Sequence, residues 1–174
     1  MVVIELMIYI LGVDHFEVQL PHLKNDSRKV SQFLGQVRNI CREKKIALIA
    51  EEISEDGLLS HQIDFTNVGT IVSELGLEYL FCDPGQSERN RLGIKQREDI
   101  ALELSIRFPY TQAQEDKINE VAAESDRKRE KYWLDRIKSR GGANKEVLLI
   151  CGFGHANYCV EMARKEGFVA QKIS

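Results

Sequence analysis

A chain of 174 residues has room for one ordinary hydrophobic core and too little for two. Hydrophobic residues make up 43% and charged residues 29%, with only three prolines, which excludes a fibre or a disordered tail. Twenty-four basic against 27 acidic residues leave a net charge of −3, without the basic excess of a protein built around a phosphate backbone, so no nucleic-acid partner is expected. Cys41, Cys82, Cys151 and Cys159 form no C-x-x-C pair, which suits free thiols in a reducing compartment.

Residues 2 to 11 are a nearly continuous apolar run rich in β-branched side chains. Glu5 interrupts the run, and no positive stretch precedes it, so it reads as a buried strand rather than a secretion signal. No run approaches the length of a membrane span, and a cytoplasmic location without membrane contact is expected. Val30, Phe33, Leu34, Val37, Ile40 and Cys41 then recur at helical spacing, which predicts an amphipathic helix over 27–43 with Asn25 or Asp26 as its cap. A short strand at 46–50 stops at Glu51-Glu52. A helix through Val68, Ile71, Val72 and Leu75 ends at Gly76, and a strand at 77–82 closes on Asp83-Pro84-Gly85. From 92 to 140 the pattern is polar and helical, broken at Phe108-Pro109-Tyr110. Residues 147–151 form a further strand, Gly152-Phe153-Gly154 turns the chain, and a short helix through Ala156, Cys159, Val160 and Ala163 precedes a last strand at 168–170. Strands separated by helices predict an α/β fold of one domain over 1–174, with a mostly parallel central sheet and helices on both faces.

In open α/β sheets ligands bind beyond the carboxyl ends of the strands. The residues there are Gly12-Val13-Asp14-His15, Glu51-Glu52, Asp83 and Gly152-Phe153-Gly154-His155. Two of the four histidines thus follow buried strands in the same G-x-x-H spacing, while His22 and His61 fall in polar loops and read as surface residues. Imidazole moves protons near neutral pH or, when neutral, binds a transition metal; a carboxylate ligates a cation, holds water or acts as a base. Adjacent side chains on an extended chain point opposite ways, so Glu51 and Glu52 divide between two faces, and the sequence does not rank them. Asp83 opens a good turn sequence and serves equally as turn or site residue.

On the helix over 112–139 the small or apolar stripe is read as Ile118, Val121, Ala122, Ser125 and Tyr132, and Arg129 falls within roughly 20° of Ile118. Its guanidinium either meets a carboxylate or bound anion inside or is carried over Trp133 to solvent on its long stem. The nearby basic run Arg127-Lys128-Arg129 is interspersed with Asp126, Glu130 and Asp135 and reads as a salt-bridged surface. Gly152-Phe153-Gly154 lacks the third glycine of a dinucleotide fingerprint, where Asn157 stands, and Cys151 reads as a core residue.

Two G-x-x-H motifs, an early glutamate pair and an arginine on a late helix, in that order from residue 4 to about 167, resemble the pattern of the TIKI superfamily, which groups TraB/PrgY, GumN, ChaN, erythromycin-esterase and Tiki proteins. The resemblance implies a minimal TraB- or ChaN-like domain and a site of His15, Glu51, Glu52, Arg129 and His155. Members of this kind are mostly hydrolases; Tiki proteins are metal-dependent peptidases, and ChaN is associated with haem or iron. Two functions are therefore expected as rivals. One is a hydrolase of a small-molecule or peptide substrate, in which His15, Glu51 or Glu52, and His155 activate water. It works with or without a divalent metal (manganese, cobalt or zinc) held by His15, Glu51, Glu52 and His155, and Arg129 steadies the oxyanion. The other is a non-catalytic module that sequesters a metal, haem or a small anionic ligand in the same pocket.

Overall fold

The computed structural model describes residues 6–21, 26–141 and 145–173, without the side chain of Phe16. Asn25, His22 and residues 2 to 5 of the strand expected over 2 to 11 lie outside the described residues. The elements are β1 (Met7–Val13), α1 (Ser27–Glu43), β2 (Leu48–Glu51), α2 (Glu55–Ser60), α3 (Asn67–Leu75), β3 (Glu78–Phe81), α4 (Gln86–Leu92), α5 (Arg97–Glu103), α6 (Gln112–Gly141), β4 (Val147–Gly152), α7 (Phe153–Lys165) and β5 (Val169–Ile173), with a π-helical turn at His15–Gln19.

The five strands form one parallel sheet in the order β3-β2-β4-β1-β5. Alternation along β4 splits the core in two. Val147, Leu149 and Cys151 pack with Trp133, Leu134 and Ile137 of α6 and with Ala156, Cys159 and Ala163 of α7. Leu148 and Ile150 face Phe33, Val37 and Cys41 of α1 and Val68 and Ile71 of α3. Helices thus cover both faces, which is why the central strands read as continuous apolar runs rather than alternating ones. Asp26 caps α1, its carboxylate accepting from the Arg28 amide at 2.8 Å. Gly76 takes a left-handed φ of 63° to end α3.

A third cluster, Ile100 and Ala101 of α5 against Ile118 and Ala122 of α6, stands apart from the sheet. It fixes α5 against the first half of α6, and those two helices supply one wall of the cleft described below. Among the described residues no helix is long and apolar enough to cross a membrane.

Three expectations change. The helix after β4 begins at Phe153, so Gly152 is its cap and Gly152-Phe153-Gly154 is no separate turn. Glu51 ends β2 instead of opening a loop. On α6 the buried stripe runs through Ile118, Ala122, Ser125, Glu130, Trp133, Leu134 and Ile137, whereas Val121 is exposed and Tyr132 half-buried. The first half of α6 packs on α5 and the second half on the sheet, so no single stripe spans its 30 residues.

Candidate functional site

The parallel pairing of β1 with β4 sets Gly12 beside Cys151 and Val13 beside Gly152, so both G-x-x-H segments leave the sheet at the same level on neighbouring strands. Their glycines make room for each other's motif. A Cβ on Gly12 would meet Ala156 and Phe153 of α7 at 3.1 Å, and one on Gly152 would meet His15 Nε2 at 2.9 Å. The spacing therefore carries a packing reason besides the chemistry of the histidines.

Glu52 is the hub. Its Oε2 accepts from His15 Nε2 at 3.0 Å and from the Gly152 amide at 2.7 Å, at the first turn of α7, where the helix dipole favours an anion. Its Oε1 accepts from Arg129 Nη2 at 2.8 Å and lies 3.6 Å from His155 Nε2. Burial works to raise the Glu52 pKa, but the hydrogen bond from His15 and the charges of Arg129, His15 and His155 outweigh it and hold the carboxyl at about 2. Glu52 is an ionised organiser, not a proton acceptor at neutral pH.

Glu51 points the other way and is fully buried. It accepts from the Gln19 amide, from Thr66 Oγ1 at 2.7 Å and from the Tyr79 hydroxyl. Burial raises its pKa against the lowering effect of these donors. Because the Gln19 amide nitrogen donates to Glu51, its carbonyl is left for His15 Nδ1–H. With Nε2–H on Glu52, both ring nitrogens of His15 are donors. Burial disfavours the charged ring, yet Glu52 and Gln19 raise its pKa overall.

His155 is built differently. Its Nδ1–H donates to Glu130 Oε1 at 2.9 Å, which leaves Nε2 as the basic nitrogen of the neutral ring. Its pKa is raised, with burial opposing and the Glu130 hydrogen bond and the Glu52 charge prevailing. Glu130 is fully buried, and its other oxygen accepts from Arg127 Nη1 at 2.9 Å; the Arg127 guanidinium stacks 3.5 Å from the Tyr158 ring centre. Trp133 meets His155 edge to face, 5.2 Å between ring centres.

The Arg129 guanidinium lies 5.4 Å from the Trp133 ring centre but turns inward to carboxylates instead of running on to solvent. Nη2 binds Glu52, Nε donates to Asp83 Oδ1 at 3.1 Å, and Nη1 is 3.7 Å from Asp126. Asp83 is site and turn together: it also accepts from Trp133 Nε1 at 2.9 Å and from Arg89, whose Nε donates to the Pro84 carbonyl. The guanidinium is thus paired on two edges, which meets the desolvation cost of its burial.

The histidines open into separate hollows. His155 lines a cleft of about 810 Å³ between α5, α6 and α7, and His15 lines a smaller hollow of about 290 Å³; Arg129 and Arg89 border both. Glu51 borders neither, and His61 lines the smaller one. Among the described residues no group of three His, Cys, Asp or Glu side chains is placed to hold a metal ion. A divalent ion between the histidines and Glu52 would set a second cation against Arg129 and require the proton to leave His15 Nε2, so the donors as arranged do not fit one.

Two contributors escape the sequence reading. Gln19 lies within the π-helical turn, which no periodicity announces. Glu130 sits among basic residues that suggest a surface helix, although it stands three, four and seven residues before Trp133, Leu134 and Ile137, a spacing that places it on the buried face. Asp83 was legible as a candidate, but its hydrogen bond from Trp133 was not. Compared with family models, with curated proteins and with solved structures, the chain has no match in any of the three.

Proposed function

We propose that the chain is a metal-independent hydrolase of carboxylic esters or amides, with His155 as general base and acid. The observation that supports this most is the Glu130–His155 pair: a buried carboxylate holds Nδ1–H, and the ring borders the larger cleft. In this reading His155 Nε2 takes a proton from a water as its oxygen bonds to the substrate carbonyl carbon. The carbonyl electron pair moves onto oxygen. When the tetrahedral intermediate collapses, the bond to the leaving oxygen or nitrogen breaks, and His155 returns the proton to that atom. Arg129 Nη1, 3.7 Å from Asp126, is the donor for the developing oxyanion. Glu52 holds Arg129 and His15 in place, and Glu51 acts through Gln19 on His15; both are positioning residues. The residue set and order that resemble the TIKI superfamily support the same class of reaction.

The test is turnover of 4-nitrophenyl esters and anilides by the untagged protein and by His155→Ala, with Trp133 fluorescence as the check of folding. Loss of turnover by at least a hundredfold in a folded variant is expected. Full turnover in His155→Ala would contradict the role. Parallel assays with chelator and with manganese, cobalt or zinc decide the metal question: unchanged rates are expected, and a rate restored only by one metal would replace this reading with the metal-dependent one. The rival, a binding module for a metal, haem or a small anion, finds support in the cations around the cleft and is favoured if ligand binds without turnover.

A further inference from the structure

The walls of the larger cleft bear on what it would accept. Across the chain acids outnumber bases, 27 to 24. Around this cleft the balance reverses: five lining residues are Arg or Lys and three are Asp or Glu. Most of the cations among them are already engaged by carboxylates, some of which lie outside the lining. Arg129 and Arg89 are held by Glu52 and Asp83, and Arg127 is held by Glu130. Of the acids, Glu130 is fully buried beneath His155, and Asp126 leans towards Arg129.

The remaining wall, at the start of α5, is different. Arg97, exposed at the cleft rim, donates from Nη1 to the side-chain oxygen of Asn119, a neutral amide, so that bond does not neutralise the guanidinium. Lys95 pairs with Glu103 at 2.6 Å, but both are exposed, and such a pair contributes little. Glu98, the third acid of the lining, is itself exposed on the first turn of α5. A fork of donors with an amide partner is a ready acceptor of a carboxylate or phosphate, because the incoming anion gains a charge-assisted bond and gives up only water. A cleft of about 810 Å³ is of the size that encloses a small molecule.

We infer that the substrate is a small molecule carrying an anionic group, carboxylate or phosphate, which seats on Arg97 with Lys95 beside it and leaves its scissile carbonyl to His155 and Arg129. This rests on the hydrolytic reading for the reaction but not for the anion seat, and the two are separable by experiment. The probes are 4-nitrophenyl hemisuccinate, whose far end is a carboxylate, and the neutral 4-nitrophenyl butyrate, with succinate and inorganic phosphate as competitors. Wild type should favour the hemisuccinate in kcat/KM by about tenfold, and Arg97→Gln should abolish most of that ratio, since one charge-assisted hydrogen bond is of this magnitude. The preference should also shrink as salt is raised. Arg42→Gln, an exposed site on α1 outside the cleft, should leave the ratio as it is. Stronger inhibition by phosphate or by succinate identifies the anion. If both esters are cleaved with no preference, or Arg97→Gln leaves the ratio intact, the seat is refuted while hydrolysis stands. If no ester is cleaved but succinate or phosphate binds and Arg97→Gln weakens it, the seat stands and the hydrolytic reading fails. Neither turnover nor binding refutes both.

Discussion

Glu51 and Glu52 are chemically identical neighbours that the fold drives apart. Glu52 meets two histidines, a guanidinium and a helix amide and stays ionised down to about pH 2, while Glu51, among neutral donors, has its pKa raised by burial. Removing the charge of Glu52 takes the carboxylate partner from His15 and leaves Arg129 to Asp83 and Asp126. Glu52→Gln should therefore cost about 3 kcal/mol in urea unfolding, as breaking a buried ion pair does; a loss under about 1 kcal/mol would show that the network is not held through this carboxylate. Glu130 is predicted to act on His155 rather than on substrate. In Glu130→Gln the acid limb of the kcat/KM profile should move to lower pH, because the charge that favours the imidazolium is gone. A rate loss with an unmoved limb would mark Glu130 as merely structural. At this scale the sequence pointed to both motif histidines, the glutamate pair and Arg129, because each follows a strand or breaks a helical stripe. It could not rank the two glutamates, since that depends on which of them the end of β2 turns towards β4.

The two motifs interlock because α7 starts directly on β4. Gly152 has φ −59° and ψ 147°, which alanine tolerates, so the need for glycine there comes from the neighbouring His15 ring and not from the backbone. Gly152→Ala should fold with a cost of about 1 to 3 kcal/mol, the range for overpacking, and should push the His15 ring away from Glu52. The His15 pKa would then fall towards its ordinary value, readable from its imidazole resonances; an unchanged His15 pKa would show that the ring does not depend on this contact. The strands and the longer helices were legible because buried parallel strands are apolar throughout and α1 shows one clear stripe. The short helices α2, α4 and α5 have too few turns to show a period. Helix α6 misled because it changes partner midway, from α5 to the sheet.

Across the whole molecule, the sheet order brings the first and last motifs together. With β1 and β4 adjacent, His15 and His155 come to the same carboxylate although they stand near opposite ends of the chain. The charged network also ties stability to pH. The raised pKa values of His15 and His155 give stability that is complete below about 6.5 and is lost as pH rises through the folded values; Glu51, also raised, acts in the same direction. The depressed pKa of Glu52 gives stability that is complete above about 4.5 and is lost as pH falls towards about 2. The melting temperature should peak on the acid side of neutrality, and a maximum above pH 8 would contradict these signs.

The central claim is that one carboxylate, Glu52, organises both histidines, with His155 poised as the base. It is tested without any substrate by a nitrogen-detected NMR titration of His155 in wild type, Glu52→Gln and Glu130→Gln. The expected result is that Nε2 loses its proton above pH 6.5 in wild type, with Nδ1 still protonated, and at lower pH in each variant. A wild-type pKa at or below 6.5, or one that neither substitution moves, would contradict it.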